Sequence, residues 1–216
     1  MRSTCESVSP RNNLKYRIGN TNKMPYESSL FQVNMGKRRA ASYDIQLRTR
    51  SMGKFIVLAQ EPWMVRGRPA GLDNQHTQIY ANCDDQKPTR AMIYSHRSAR
   101  VAPCPAFTGR DVACGLWDVD MPNLQQVMLV SLYWDGKFSH LPQKFLDCLR
   151  ECKEKGLPLH IGGDFNSHQT LWGGKRDTRR GDLVQWIMLE YDLVLLNEGD
   201  VPTFQNANGR ASSISR

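Results

Sequence analysis

Short apolar runs alternate with longer amphipathic stretches along this chain, and polar segments rich in Gly, Pro, Asn or Asp separate them. The run KFIVLA, which ends before Gln60-Glu61-Pro62, is almost continuously apolar. Such runs are typical of strands that are buried on both faces. Apolar character and β-branched residues predict further strands of the same kind. The predicted strands cover residues 30–35, 55–59, 90–96, 111–119, 125–134, 157–163 and 193–197.

Three longer stretches carry the helical period instead. Residues 36–53 combine alanine with long side chains and lack proline, which predicts a helix with a basic outer face. Residues 141–156 place their apolar side chains on one stripe, and Gly156 ends this helix. Residues 181–192 predict a third helix, for which Asp182 is the expected N-cap. The interspersed order of strands and helices predicts an α/β (α+β) fold, with sheets covered by helices.

The first 29 residues differ from the rest of the chain. They are polar, rich in Asn, Ser and basic residues, and show no periodicity. This composition predicts a tail or linker at residues 1–29 and one domain at residues 30–216. No apolar run approaches the roughly 18 residues that span a bilayer, so we expect no membrane-spanning segment.

Charge and cysteine content narrow the picture further. The net charge is +8 and the sequence pI is about 9.3. This excess favours polyanionic partners such as nucleic acid, although a basic soluble protein without such a partner fits the charge about equally well. The six cysteines include no C-x-x-C pair, so we expect reduced thiols in an intracellular protein. Cys148 and Cys152 share a helix face but, without a nearby Cys/His pair, they indicate zinc only weakly.

Side chains with oxygen atoms follow several of the predicted strands. Asn34 lies near the end of the first strand, Glu61 follows the second, and Asp164 and Asn166 follow the run that contains Ile161. Asp164 and Asn166 are two positions apart, so in an extended backbone they point the same way. Carboxylate and amide oxygens without a thiolate suit Mg²⁺ or Mn²⁺, and a magnesium ion usually binds substrate phosphate as well.

Each of these residues, taken alone, has a structural explanation. Gly-Gly-Asp is common turn chemistry, Glu61 before a proline can end a strand, and Asn34 can cap the following helix. His168 alone is better explained as a structural histidine, and Tyr133 as core or rim packing. The recurrence of polar residues at the ends of separate strands is what favours a functional site.

The motifs, in their order along the chain, resemble a known family. They are VNMGKRRAA, LAQEPW, RAMIYS, RDVACGLWD, VSLYW, IGGDFNSHQTLWGG, RGDLVQWI, LLNEGDVPTF and GRASSI. This order resembles the apurinic-type endonuclease domain of non-LTR retrotransposon polyproteins, which belongs to the endonuclease/exonuclease/phosphatase superfamily. The resemblance is greatest to the jockey-like and ribosomal-DNA-inserting insect elements, and it covers about residues 30–214.

The resemblance implies two packed β-sheets flanked by helices, a four-layer sandwich, and Mg²⁺-dependent hydrolysis of a DNA phosphodiester. In such elements the nick leaves a 3′-hydroxyl that primes reverse transcription. The implied partners are double-stranded DNA and a reverse transcriptase domain farther along the same polyprotein. The implied location is the nucleus at the time of integration.

The resemblance also implies roles for individual residues. Glu61 would be the principal metal ligand, with Asn34 beside it. Asp164 would orient or deprotonate the attacking water, and Asn166 would hold the scissile phosphate. Tyr133 would donate to phosphate or position a partner.

Further residues complete the implied site and its rim. His168 would be a supporting member of the catalytic group, and Thr203 would lie by the DNA backbone. Basic residues in two loops beside the site are expected to contact phosphates. They are Arg66, Arg68, Lys175, Arg176, Arg179 and Arg180.

One departure from the family concerns the closing residues. The family places an aspartate after the S-S-I strand and later a Ser-Asp-His triplet. In this chain Ser215 stands where the aspartate is expected, and no histidine follows His168. We therefore expect a C-terminally incomplete domain, either a fragment or a degenerate copy, that lacks the last family strands. Such a polypeptide is expected to be less stable and to nick DNA poorly or not at all.

Two other functions remain compatible with the sequence. One is a phosphomonoesterase or lipid-head-group phosphatase of the same superfamily, and the other is a non-catalytic DNA-binding remnant. The basic charge and the SHQTLWGG and RG motifs favour DNA over small phosphoesters.

Overall fold

The structure is a computed structural model that describes residues 28–72, 75–82, 87–121, 124–196, 204–206 and 209–211. Within these ranges no helix is long and apolar enough to cross a membrane. The helices are α1 (Arg39–Thr49), α2 (Gln143–Lys155) and α3 (Arg179–Glu190), with single 3₁₀ turns at Arg97–Ala99 and Thr170–Trp172. The strands are β1 (Ser28–Asn34), β2 (Lys54–Gln60), β3 (Met64–Val65), β4 (Arg68–Pro69), β5 (Thr77–Tyr80), β6 (Ala91–His96), β7 (Val101–Pro103), β8 (Val112–Met121), β9 (Leu124–Tyr133), β10 (Leu159–Asp164), β11 (Phe204–Asn206) and β12 (Gly209–Ala211).

Two four-stranded sheets form the centre of the fold. The first has the strand order β1-β2-β6-β5, and the second has the order β10-β9-β8-β7. Each sheet contains one parallel pair, β1 with β2 and β9 with β10, while its other pairs are antiparallel. Parallel strands end at the same edge of a sheet, so each sheet brings two carboxyl ends together.

Alternate side chains of β2 pack into two separate cores, as the period of two in a strand requires. Ile56 and Leu58 lie between the sheets, in one cluster with Leu129 of β9. Val57 lies on the opposite face, in one cluster with Ile45 of α1. Both faces of β2 are therefore covered, which explains its continuous apolar run.

The second sheet is covered in the same way on its outer face. There Val130 of β9 packs in one cluster with Phe145 of α2 and Ile187 of α3. The layers are thus α1, first sheet, second sheet, and the pair α2 and α3. This arrangement confirms the expected sandwich of two sheets flanked by helices.

Several predicted boundaries need correction. β1 begins at Ser28, inside the predicted tail, whose remaining residues lie outside the described ranges. α3 begins at Arg179, and its N-cap is Thr178, whose side chain accepts from the backbone N–H of Gly181. The prediction of Asp182 as the cap is therefore wrong, because that residue lies in the first turn.

The apolar run at residues 193–197 predicts a strand, and this prediction is wrong for residues 193–196, which form no regular element. The backbone N–H of Leu193 donates to Met188 O at 2.8 Å, so the chain folds back on the end of α3. Its side chains line a cavity between α3 and β10. A short apolar run does not by itself distinguish a strand from a segment that packs irregularly.

The two sheets pack closely against each other at Gly162 of β10. A Cβ atom there would lie 2.8 Å from Leu58 Cδ1 and 2.9 Å from Gln32 Cγ. Both neighbours belong to the first sheet, and both positions are buried. The absence of a side chain at position 162 therefore sets the spacing between the sheets.

Replacing Gly162 by alanine should destabilise the protein by about 1–3 kcal/mol, because overpacking a well-filled core forces neighbouring side chains to move. The urea midpoint of unfolding measures this effect. Gly53→Ala is the matched control, since a Cβ at position 53 meets nothing within 4 Å. Equal midpoints for the two variants would contradict the close approach of the sheets.

Candidate active site

The carboxyl ends of the two parallel strand pairs carry the predicted site residues. In the first sheet Asn34 ends β1 and lies in register with Gln60, which ends β2 directly before Glu61. In the second sheet Tyr133 ends β9 and lies in register with Asp164, which ends β10. Asn34 Nδ2 donates a hydrogen bond to Asp164 Oδ2 at 2.7 Å, which joins the two sheets at the site.

A buried amide network lies directly beneath this edge. Gln60 is fully buried, and its Nε2 donates to Ser131 Oγ at 2.9 Å and to Gly162 O at 3.0 Å. Its Oε1 accepts from Gln32 Nε2, and Ser131 Oγ donates to Ala59 O at 2.9 Å. The network therefore links β1, β2, β9 and β10, and its buried side-chain groups are satisfied by one another.

The strand positions of this network determine the direction of three site side chains. Asn34, Tyr133 and Asp164 each follow one of its members by two positions on the same strand. Side chains two positions apart lie on the same face of a strand. All three are therefore directed to the side on which the sheets face each other.

Glu61 reaches the same space by a different route. It follows Gln60 by one position, so a continuing strand would direct it to the opposite face. Its φ of +47° instead places it in the left-handed region. Its N–H donates to Arg90 O at 2.8 Å, and its carbonyl accepts from Lys37 N at 2.7 Å. These bonds hold a backbone conformation that a non-glycine residue rarely adopts.

Asp164 is held in an unfavourable environment for a charge. Burial raises the pKa of its carboxyl, and repulsion by Glu61 acts in the same direction. Hydrogen bonds from Asn166 N and Asn34 Nδ2, and the charge of Arg180, oppose this rise. The net result is a raised pKa, which is common for carboxyls that accept protons in catalysis.

Tyr133 keeps its proton over the whole physiological range. Burial raises its pKa to about 12, and the charges of Glu61, Asp164 and Asp135 contribute to the rise. The guanidinium of Arg90 lies 4.9 Å from the ring centre and acts in the opposite direction. The phenol is therefore a hydrogen-bond donor, and it does not serve as a base.

Arg90 was not predicted by sequence reasoning, yet it organises this corner of the site. It is buried, and its Nε and Nη2 pair with the two carboxylate oxygens of Asp111 at 2.5 and 2.6 Å. Its Nη1 pairs with Asp135, two residues after Tyr133. Burial alone would lower its pKa, but the two carboxylates raise it overall, so the cation is stable. The sequence signal is a lone basic residue directly before an apolar strand.

The donor set fits a small, hard cation. Glu61 Oε1 already faces a cation, the Lys37 ammonium, at 3.2 Å, and the Glu61 side chain is only 18% exposed. Asn34 Oδ1 accepts a single N–H, from Gly36 at 2.8 Å, which leaves acceptor capacity on that oxygen. The repulsion between Glu61 and Asp164 is a further reason for a cation to bind between them. Mg²⁺ commonly uses one or two carboxylates and retains water, as this set requires.

Zinc is not supported by the cysteines. Cys114 Sγ lies 3.8 Å from Cys148 Sγ in the core between the second sheet and α2. Hydrogen bonding and burial raise the pKa of Cys148 and of Cys152, so both are protonated thiols packed in this core. Among the described residues, no group of three or more His, Cys, Asp or Glu side chains is placed to hold a metal.

Asn166 and His168 lie on the exposed loop after β10. Asn166 has a φ of +45°, its N–H donates to Asp164 Oδ1 at 3.0 Å, and its Nδ2 donates to Trp134 O at 3.0 Å. The backbone carbonyl of His168 accepts from Thr178 Oγ1 at 2.8 Å, while its side chain is exposed. The structure brings Asn166 next to Asp164 and gives His168 a structural contact through its backbone.

The glycines of the LWGG and RG motifs allow the backbone to pack closely around this loop. A Cβ at Gly174 would lie 2.7 Å from both Gln169 N and Gln169 O. A Cβ at Gly181, in the first turn of α3, would lie 2.5 Å from His168 O. Trp172, at the centre of the motif, is buried, so it packs in the core. These motif residues shape the loop that carries Asn166.

The predicted basic rim divides into two groups. Five of its members are exposed, namely Arg66, Arg68, Lys175, Arg176 and Arg179. Arg180 differs from the expectation, because its guanidinium is turned inward and donates to backbone carbonyls of the protein. Thr203 lies outside the described residues.

Comparisons with known proteins show what the chain is similar to. A family model described as Endonuclease-reverse transcriptase matches residues 127–214. The chain is 24% identical over 188 residues to the putative 115 kDa protein in type-1 retrotransposable element R1DM of Drosophila melanogaster. That match covers 82% of this chain and 18% of the relative, so the chain spans less than a fifth of that protein.

The fold is also similar to a solved structure, the endonuclease domain of TRAS1, a telomere-specific non-LTR retrotransposon. The TM-score is 0.64 and the sequence identity is 26%. The match covers 85% of this chain and 80% of that domain.

Ionisation of Asp164 should cost stability. Because its folded-state pKa is raised above the ordinary value of 3.8, the stability it contributes is complete below that value and is lost as the pH rises through the raised pKa. Asp164→Asn cannot ionise, so its stability relative to the wild type should increase as the pH rises above 3.8 and through the raised pKa of Asp164. Urea unfolding across this range measures the difference.

Asp177→Asn is a control for which stability should change with pH in the opposite direction. Hydrogen bonds from the backbone and side chain of Thr170 lower the pKa of Asp177, so its contribution is present above 3.8 and is lost as the pH falls. This variant should lose stability at neutral pH relative to acid. If Asp164→Asn parallels the wild type at every pH, the environment assigned to Asp164 is wrong.

Proposed function

We propose that this chain is an endonuclease domain of a non-LTR retrotransposon, within the endonuclease/exonuclease/phosphatase superfamily, and that it hydrolyses phosphodiester bonds of double-stranded DNA with Mg²⁺. The observation that carries the proposal is the meeting of Glu61 and Asp164 at the joined ends of two parallel strand pairs. The exposed basic residues in the loops that follow β2 and β10 support a polyanionic substrate.

The residues divide the chemistry among them. Asp164, with its raised pKa, orients the attacking water and accepts its proton. Asn166 Nδ2 uses one of its two N–H groups for Trp134 O, and the second donates to an oxygen of the scissile phosphate. The protonated phenol of Tyr133 donates to another phosphate oxygen.

Glu61 and Asn34 would hold Mg²⁺, or Mn²⁺ in its place, which supplies a charge sink for the phosphoryl and leaving oxygens. The Lys37 ammonium now pairs with Glu61 and is largely exposed, so it would be available to phosphate if a cation took its place on Glu61. His168 supports the loop that carries Asn166.

The proposal extends to the role of this domain in the retrotransposon. The nick leaves a 3′-hydroxyl that primes reverse transcription by a polymerase domain of the same polyprotein, in the nucleus at the time of integration. The family description, which names an endonuclease together with a reverse transcriptase, supports this context. The retrotransposon origin of the two relatives supports it as well.

Replacing Glu61 by Gln should weaken Mn²⁺ binding by at least roughly tenfold, since even the partners of metal ligands typically contribute that much. Electron paramagnetic resonance of free Mn²⁺ measures the affinity without any need for catalysis. Asp164→Asn should abolish Mg²⁺-dependent nicking of supercoiled plasmid, assayed with protein in excess so that slow cleavage is detected.

The control for metal binding is Glu154→Gln, since Glu154 is an exposed carboxylate on α2. It should leave Mn²⁺ affinity unchanged. Nicking that survives in Asp164→Asn would contradict the proposed chemistry. Release of phosphate from small phosphomonoesters without nicking would instead favour a phosphatase, and DNA binding without nicking would favour a non-catalytic remnant.

Replacing Lys175 and Arg176 together by Ser should weaken DNA binding and reduce its salt dependence. The slope of log K against log salt concentration should fall by about 1 for each phosphate that the variant no longer neutralises. The matched control is the pair Arg97→Ser and Arg100→Ser, which follows the end of β6 that lies away from Glu61. Equal slopes for the two double variants would remove residues 175 and 176 from the DNA interface.

A further inference from the structure

The guanidinium of Arg180 is bonded to four backbone carbonyls. Its Nη2 donates to Trp134 O at 3.0 Å and to Phe165 O at 2.8 Å. Its Nη1 donates to Asp135 O at 3.2 Å and to Phe138 O at 2.5 Å. One side chain in the first turn of α3 thus holds the loop after β9 and the loop after β10 together. This planar, forked donor arrangement is specific to arginine.

The charge of Arg180 also carries a cost at this position. Burial lowers the pKa of Arg180, which reports an unfavourable environment for its charge. Its Nε is buried and has no hydrogen-bond partner among the described residues. A buried, unsatisfied N–H costs stability. Stacking on the Trp134 ring, 3.5 Å from the guanidinium carbon, offsets part of this cost.

Two of the carbonyls that Arg180 binds belong to residues adjacent in sequence to the proposed catalytic residues. Trp134 follows Tyr133, and Phe165 lies between Asp164 and Asn166. Trp134 O also accepts from Asn166 Nδ2, so the guanidinium and the amide share one acceptor. The N–H of Trp134 donates to Asp164 O at 2.8 Å. A displacement of the Trp134 carbonyl would therefore move the amide that faces the phosphate.

Arg179 provides the contrast within the chain. It is adjacent in sequence and is exposed, whereas Arg180 is turned inward. Successive helical residues are separated by about 100°, which accounts for their different directions. Arg179 and Arg180 are therefore neighbours in the sequence but have different environments in the structure.

We infer that Arg180 is a positioning residue that fixes the Asn166 amide and the ends of β9 and β10 relative to one another. Phosphate binding is left to Arg179 and the exposed rim. The catalytic meaning of this inference rests on the proposed nuclease function, but the geometry it describes can be tested without DNA or metal.

The experiment compares Arg180→Ala, Arg180→Lys and Arg179→Ala by two-dimensional ¹H–¹⁵N NMR of the Asn166 side-chain amide, assigned by its loss in Asn166→Asp. In both Arg180 variants the resonance should shift and the amide protons should exchange faster with water. Guanidinium ion, at millimolar concentrations far below those that unfold proteins, should restore the wild-type signal in Arg180→Ala. Ammonium ion should not restore it. Arg179→Ala should leave the signal unchanged.

Catalysis supplies a second readout. Because small misplacements of catalytic groups cost about 100-fold in rate, Arg180→Ala should lower the single-turnover nicking rate by roughly that factor with DNA affinity unchanged. Arg179→Ala should instead weaken the DNA affinity and make it less dependent on salt. If the wild type does not nick, the proposed function fails, and the NMR comparison still decides the role of Arg180.

Two results would overturn the inference. One is a folded Arg180→Ala protein with an unchanged Asn166 signal and a reduced salt slope, which would make Arg180 a phosphate ligand. The other is a wild-type Asn166 signal in Arg180→Lys, which keeps the charge but not the fork, and this variant decides the question if Arg180→Ala fails to fold.

Discussion

A buried amide joins the two sheets beneath the candidate site, and the positions of the proposed catalytic side chains depend on it. Gln60 can bond to both Ser131 and the carbonyl at position 162 only because Gly162 allows the sheets to approach. The strand period then directs the residues two positions farther along to the same cleft. The spacing of the sheets therefore determines the geometry of the site, and the site residues lie at the ends of rigid strands.

The unfavourable electrostatic interactions of the site lie next to this amide network. Glu61 and Asp164 repel each other, and two arginines bind the loop that follows β9. Asp135 shows this most directly, since Arg90 binds its carboxylate and Arg180 binds its carbonyl. These bonds hold the Asp135 carboxylate in place, whereas a carboxylate without such partners would turn toward water.

Sequence patterns were sufficient where a property is local and insufficient where it depends on a distant partner. Asn34, Glu61 and Asp164 could be predicted because each follows an apolar run, and strand ends share an edge. The inward direction of Arg180 could not, since it depends on carbonyls contributed by other loops. The wrongly predicted strand at 193–196 has the same cause, because an apolar run shows only that a segment is buried.

The buried amide network also determines when the site can form during folding. Gln60 lies 28 residues from Gln32, 71 from Ser131 and 102 from Gly162, so its partners are distant along the chain. Closing such long loops is slow, and local helices and hairpins form before them. As the chain leaves the ribosome, Glu61 is therefore present long before the pocket around it, and a polypeptide interrupted before β10 never acquires that pocket.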